Sequence, residues 1–173
     1  VTENSENKIL AISHCNSPKK ANMLKEAIQE KMKLIDPWMV ELNDDDHTVF
    51  LKQEGMELDL GGIAKGWTAD RIRDLWRAYG VEAGIINLGG NVLCVGERTN
   101  HQPFRIGLQK PFADYATVFA DLNIDDMSVV SSGVYERHFE KNGVNYHHLL
   151  NPKTGYPYQN GLVSVTIVSP RSV

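Results

Sequence analysis

Residues 57–67 read Glu-Leu-Asp-Leu-Gly-Gly-Ile-Ala-Lys-Gly-Trp, and this stretch decides how the chain is laid out. An apolar strand pattern runs into paired glycines, and a helical pattern opens directly behind them. Gly61 and Gly62 carry no Cβ, so backbone at this point can come close to another group. A helix start offers N–H groups without intrahelical partners and the positive end of a dipole, which suits an anion. Lys65 adds a mobile positive charge on the first turn. The segment reads as an anion cradle for a phosphorylated cofactor, and equally as a strand-to-helix turn that uses glycine for tight packing. Spacing alone leaves both readings open. It is neither a Walker loop, which needs Gly-Lys-Ser/Thr after a four-residue gap, nor the Gly-x-Gly-x-x-Gly dinucleotide fingerprint.

Working outward, the helix is expected over 63–79, burying Trp67, Ile72, Leu75, Trp76 and Tyr79, with Gly80 as its C-cap. A strand over 56–60 precedes it. Upstream, Ser17-Pro18 reads as an N-cap followed by proline at the first helical position. The helix over 18–34 then sets Met23 or Leu24, Ala27 or Ile28, Met32 and Leu34 on one face. Asp36-Pro37 stops it. Strands at 38–42 and 47–53 flank Asn43-Asp44-Asp45-Asp46, which reads as a solvated hairpin turn rather than a metal loop. Downstream, a second strand–glycine unit covers Ala83–Asn91, followed by Val92–Val95. Further strands are expected near 103–109, 115–122, 128–132, 135–141, 144–150 and 162–169. Many strands with two helices imply an α+β fold, a mixed-sheet layered domain rather than alternating βαβ units.

A chain of 173 residues fits one domain with a real core. Its formal charge of −4 argues against non-specific nucleic-acid binding. No apolar run reaches the roughly 18–20 residues a membrane-spanning helix needs. Cys15 and Cys94 stand far apart without metal-ligand spacing and read as buried thiols rather than a disulfide.

A second polar constellation runs from Val129 to Pro157. Ser131 and Ser132, before Gly133, offer hydroxyls to a phosphate or a flavin edge, and Arg137 can pair an anion bidentately. His147 and His148 point to opposite strand faces, so at most one enters a site. For either histidine alone, a partly exposed strand histidine is the default reading. Asn151-Pro152-Lys153-Thr154-Gly155 reads as a tight turn.

Four segments taken together, Asp59–Trp67, Asn87-Leu-Gly-Gly-Asn91, Ser132-Gly-Val-Tyr-Glu-Arg-His-Phe139 and Tyr146-His-His-Leu-Leu-Asn-Pro-Lys-Thr-Gly-Tyr-Pro157, resemble the ApbE-type FAD:protein FMN transferases in order and spacing. The resemblance covers nearly the whole chain, as a single partial domain over residues 1–173. It implies binding of FAD, magnesium-dependent cleavage of its pyrophosphate, release of AMP, and transfer of FMN to a threonine or serine hydroxyl of a target protein. It also implies an extracytoplasmic setting, with membrane attachment only through a lipid anchor outside this segment. Asp59 and Lys65 would contact FAD, the Leu149 backbone would hold the flavin or its phosphates, and the Gly62 carbonyl would be a magnesium ligand. Ser132, Tyr135 and Arg137 are further FAD-binding candidates. His148 matches a family histidine near the scissile phosphate and would activate the acceptor hydroxyl; imidazoles ordinarily titrate at about pH 6.5, which suits that work.

The charge argument agrees with this chemistry. A helix terminus supplies only about 0.3–1 kcal/mol per charge, against the ~8 kcal/mol or more an enzyme must find. A divalent cation with oxygen ligands is the natural supplement. Val134 departs from the family pattern, standing where relatives commonly carry a polar residue. The resemblance further implies a central portion of the family domain, incomplete at both ends. A flavin-contacting segment is expected before Val1, and the remaining magnesium ligands, in an Ala-Asp-Ala-x-x-Thr-like segment, after Val173. Hydrolysis of FAD to FMN and AMP, and a flavin-binding module without chemistry, are the alternatives.

Overall fold

The computed structural model describes residues 18–98, 100–114 and 116–173, with side chains from Asn22 onward. The expectations for Cys15 and the Ser17 cap lie outside these residues. The chain divides into two compact units, one formed by residues up to Asp59 with Arg137–Asn160, the other by Leu60–Glu136 with Gly161–Val173.

In the first unit, helix α1 (Pro18–Met32) is amphipathic. Ile28 is buried, Leu24, Ala27, Met32 and Leu34 are half-buried, and Met23 is exposed. Glycine at 155 lets a turn press on this face, because an added Cβ would lie 2.6 Å from Ile28 Cγ2 and 3.0 Å from Met32 Sδ. Asp36 ends the helical region by accepting the Trp38 N–H at 2.9 Å, which caps a short 3₁₀ turn, Pro37–Met39. Strands β1 (Val40–Asn43) and β2 (Thr48–Leu51) then form an antiparallel hairpin. The acidic triplet is its turn: Asn43 bonds Asp46 through both its amide nitrogen (3.0 Å) and its amide oxygen (3.1 Å). The expected strand at 56–60 is absent. Residues 56–60 have no regular secondary structure, so the alternation there reflects exposed chain and not sheet pairing.

The second unit is layered. Helix α2 (Ala64–Ala78) is followed by strands β3 (Gly84–Asn87) and β4 (Asn91–Val95), β5 (Phe104–Gln109) and β6 (Val118–Ile124), then β7 (Ser128–Gly133). Strands β8 (His138–Lys141) and β9 (Val144–His147) make a separate hairpin in the first unit, and β10 (Ser164–Ser169) returns to the second. The four-stranded sheet has the order β10-β7-β4-β3, antiparallel at every pairing. Strand β4 is the centre of both cores: Leu93 and Val95 pack with Ala69 and Ile86 beside α2, whereas Cys94 packs with Ile124 and Val129 beside the β5–β6 pair. That alternation is the period of two of a strand covered on both faces. Burial, then the nearby Asp125 charge, pushes the Cys94 thiol up to about 11. It is a core residue, as its spacing suggests.

Helix α2 corrects the expected buried face. Trp67 is 61% exposed and Tyr79 81%, and Leu75 is also exposed. The buried residues are Gly66, Ala69, Asp70 and Arg73, with Ile72 and Trp76 half-buried against the sheet. The reason is close approach. An added Cβ on Gly66 would stand 2.1 Å from the Ser172 carbonyl oxygen, so the chain after β10 lies directly on the helix. Asp70, 1% exposed, meets that chain: its carboxylate accepts the N–H of Ser172 at 3.0 Å and of Val173 at 3.4 Å. Arg73 pairs with Asp70 at 3.3 Å and donates to the Pro170 carbonyl at 2.6 Å. A buried charge is tolerated only when so surrounded. The C-terminus of α2 follows expectation. Gly80 (φ +76) is left-handed, its N–H reaches Arg77 O, and the Val81 N–H reaches Trp76 O, the two bonds of a Schellman motif.

Candidate functional site

The residues singled out in the sequence fall into two groups, one in each unit. In the second unit, the stretch expected to cradle an anion is the start of α2. Ile63 stands at the N-cap without a side-chain cap, and the first turn contains no acidic residue. The Ile63 and Ala64 N–H groups donate to the Leu60 carbonyl at 3.0 and 2.8 Å. Gly62 is not in the left-handed region, and an added Cβ would meet nothing within 4 Å. Packing therefore does not require glycine at 62, whereas it does at Gly66. The packing reading of the glycine stretch thus belongs to Gly66.

Lys65 Nζ donates to the Gly89 carbonyl at 2.9 Å. Gly89 (φ +65) and Gly90 (φ +78) are the central residues of the β3–β4 hairpin, closed by the Leu88 N–H donating to Asn91 O at 2.9 Å. Two consecutive positive φ values define the two-residue type I′ turn, where a Cβ costs about 1–2 kcal/mol per residue. Asn87 Oδ1 accepts the Gly89 N–H at 3.0 Å and stiffens the turn. Lysine and turn thus form one polar edge.

Ser132 lies on β7 opposite Val165, and its carbonyl accepts a bond from Ser164 Oγ at 3.3 Å. Tyr135 folds its ring over Gly133, where an added Cβ would come within 2.3 Å of it. The same ring meets Phe112 edge-on at 5.9 Å, and its hydroxyl lies 3.5 Å from Ser164 Oγ. Ser164 is therefore a shared partner that the motif reading missed.

In the first unit, Asp59 is exposed, and the β8–β9 hairpin carries the other group. His148 donates its backbone N–H to the Arg137 carbonyl at 3.2 Å, which places the exposed Arg137 beside it in the chain path. The neighbouring histidines have opposite environments. His147 is buried; its Nε2 donates to the Tyr158 carbonyl at 2.9 Å, and its Nδ1 accepts the Leu149 N–H at 3.3 Å. Those two bonds fix the orientation of the ring. His148 Nδ1 is buried with no hydrogen-bond partner. A buried ring nitrogen left without a partner is costly, and this sets His148 apart from His147. The Leu149 carbonyl accepts the Tyr158 N–H at 3.1 Å, and the turn below it is closed by the Gly155 N–H on Asn151 O at 2.8 Å. Asn151–Gly155 is the tight turn expected, with Gly155 at φ +73. His147, one of the two histidines weighed in the sequence, fixes the loop on which His148 and Leu149 stand.

Among the described residues, no group of three or more His, Cys, Asp or Glu side chains could hold a metal ion.

Comparison with known proteins defines the class. The ApbE family model matches residues 8–173, and the chain belongs to the ApbE family. A Klebsiella pneumoniae (strain 342) protein named FAD:protein FMN transferase is 50% identical over 146 residues, 84% of this chain and 44% of the relative. A Treponema pallidum (strain Nichols) protein of the same name is 40% identical over 134 residues, 73% of this chain and 37% of the relative. The chain spans less than half the length of these curated relatives. Among solved structures, the ApbE protein of Thermotoga maritima superposes with a TM-score of 0.76 at 36% identity, covering 86% of this chain and 47% of that one. The flavin transferase ApbE of Vibrio cholerae gives 0.73 at 27% identity, covering 85% and 46%.

Proposed function

We propose that the intact protein transfers FMN from FAD to a threonine or serine hydroxyl of a target protein and releases AMP. The observation that carries this reading is the start of α2, free of acidic residues and of a side-chain cap, with Lys65 held on the Gly89 turn, in a chain 50% identical over 146 residues to a protein named FAD:protein FMN transferase. In this reaction the acceptor oxygen attacks the FMN-side phosphorus, the pyrophosphate P–O bond breaks, and AMP leaves with the bonding pair. Negative charge grows on the entering and leaving oxygens, so fixed positive groups matter most. Lys65 and the first turn of α2 bind the phosphates, and Gly62 lets them approach backbone. His148 takes the proton from the acceptor hydroxyl. Asp59, Arg137, Ser132, Tyr135 and the Leu149 backbone orient the flavin nucleotide.

Magnesium belongs to this proposal and supplies, when bound, charge neutralisation at the phosphates. The extracytoplasmic setting and lipid anchor belong to it as well. Among the described residues no helix is long and apolar enough to cross a membrane.

The test is AMP release from FAD by the intact protein, with and without a threonine-containing acceptor and with and without magnesium. Acceptor-bound FMN formed in step with AMP supports transfer. AMP with only free FMN would reassign the chemistry to hydrolysis. A folded protein that binds FAD and yields no AMP would leave a flavin-binding module.

A further inference from the structure

Ser172 touches three parts of the second unit that would otherwise have no common partner. Its carbonyl oxygen lies against Gly66, the residue after Lys65. Its N–H donates to Asp70 Oδ1 at 3.0 Å. Its Oγ donates to Asn91 Oδ1 at 2.7 Å. Asn91 is the residue that closes the Gly89-Gly90 turn, and Gly89 O in turn receives Lys65 Nζ at 2.9 Å. The contacts form a closed ring: Lys65 to the turn, the turn to Asn91, Asn91 to Ser172, Ser172 to Asp70, and Asp70 back to Lys65 through the helix. Asp70, Asn91 and Ser172 are all buried. Lys65 itself is exposed.

We infer that Asp70, Ser172 and Asn91 are positioning residues that set the Gly89-Gly90 turn, and through it the Lys65 ammonium, at the height the FAD phosphates require. The inference rests on the proposal that Lys65 contacts FAD. Its physical basis is the asymmetry between the two ends of the ring. A lysine side chain has four rotatable bonds and a strongly hydrated head, so by itself it does not hold one position. Tethering to a carbonyl on a stiff two-residue turn removes much of that freedom before the ligand arrives, and preorganised groups lose less on binding. The turn is stiff only if its base is fixed. Ser172 fixes the base at Asn91, and Asp70 fixes Ser172 with a charge-assisted bond.

The experiment is a double-mutant cycle on FAD affinity in the intact protein, measured by titration calorimetry. Lys65→Ala and Ser172→Ala are each expected to weaken binding, Ser172→Ala by roughly two- to tenfold, the worth of one net hydrogen bond. Ser172→Ala is expected to add little in the Lys65→Ala background, because it acts through the lysine. Asn91→Ala breaks the same bond from the other side and should show the same loss and the same non-additivity. Losses that simply add, or full affinity in both Ser172→Ala and Asn91→Ala while Lys65→Ala binds weakly, would overturn the positioning role alone. Unchanged affinity in Lys65→Ala would remove the Lys65 contact and this inference with it.

Discussion

Gly66→Ala sets two effects of known sign against each other. In a helix, alanine is favoured over glycine by at most about 1 kcal/mol. At Gly66, however, the new Cβ would stand 2.1 Å from Ser172 O, 2.7 Å from Ser172 C and 3.0 Å from Val173 Cα, all backbone atoms without a rotamer to change. Relief requires a shift of nearly 1 Å between α2 and the chain after β10. Such a shift breaks the bonds of the Ser172 and Val173 N–H groups to Asp70, now 3.0 and 3.4 Å long. Hydrogen bonds to a charged partner are worth about 1.5–3 kcal/mol each. Asp70 would also be left buried and under-satisfied. Even if the stronger bond alone is lost and the structure partly relaxes, the net expectation is a loss of about 2–4 kcal/mol, on the order of 5–15 °C in Tm. Gly62→Ala is the control, since its added Cβ meets nothing within 4 Å. It should move stability by no more than about 0.5 kcal/mol. Urea unfolding of the intact protein measures both. A Gly66→Ala variant as stable as the parent, or more stable by the helix-propensity increment, would refute the close-packed account of this helix face.

The two adjacent histidines should separate cleanly. His147→Ala, which removes partners from the Tyr158 carbonyl and the Leu149 N–H, should cost about 2–4 kcal/mol in urea unfolding. His148→Ala should unfold like the parent and bind FAD normally, yet transfer FMN about 10²–10⁴-fold more slowly; full activity would remove its proposed role. Asp126 supplies a pH prediction. Burial alone would push its carboxyl up, but the Gly96 N–H at 3.0 Å and Arg77 at 2.6 Å outweigh it and hold the group below its ordinary range. With the folded pKa lowered, its contribution is present above about pH 4 and is lost as pH falls through the folded value. Both partners of the ion pair are about half exposed, so this amounts to no more than ~1 kcal/mol. The stability gap between parent and Asp126→Asn should therefore close between about pH 5 and pH 2. A gap independent of pH would contradict the assignment.

Much of this fold was legible in the sequence where local rules and tertiary packing agree. Gly80 at the end of α2, the Asn43–Asp46 hairpin turn, the strands from 83 onward and the Asn151–Gly155 turn follow from turn chemistry and alternation alone. The failures share a cause. Glu57–Leu60 alternates like a strand but pairs with none, and alternation cannot report a missing neighbour. The buried face of α2 was misread because burial there follows shape and charge pairing rather than hydrophobicity. Glycine and alanine let backbone approach, and Asp70 is buried because Arg73 and two N–H groups surround it. A single carboxylate beside Ala69, one turn from glycine, was the available signal. For the site, the motifs pointed to Lys65 and His148 as individual residues, but not to their supports. Ser172 lies far along the chain from both Asp70 and Asn91, and the alternation that separates His147 from His148 does not say which of the two the loop holds.

The bond between Ser172 and Asp70 joins residues 102 positions apart. During synthesis Asp70 emerges on the order of 5–20 s before its partner, at ordinary elongation rates of about 5–20 residues per second. Throughout that interval its carboxylate is hydrated and α2 lacks the chain that covers Gly66. Closing so long a loop is entropically costly, and that cost is met before the contact rewards it. Faster unfolding of Ser172→Ala at an unchanged refolding rate would place the ring late on the folding pathway, and slower refolding would place it in the nucleus.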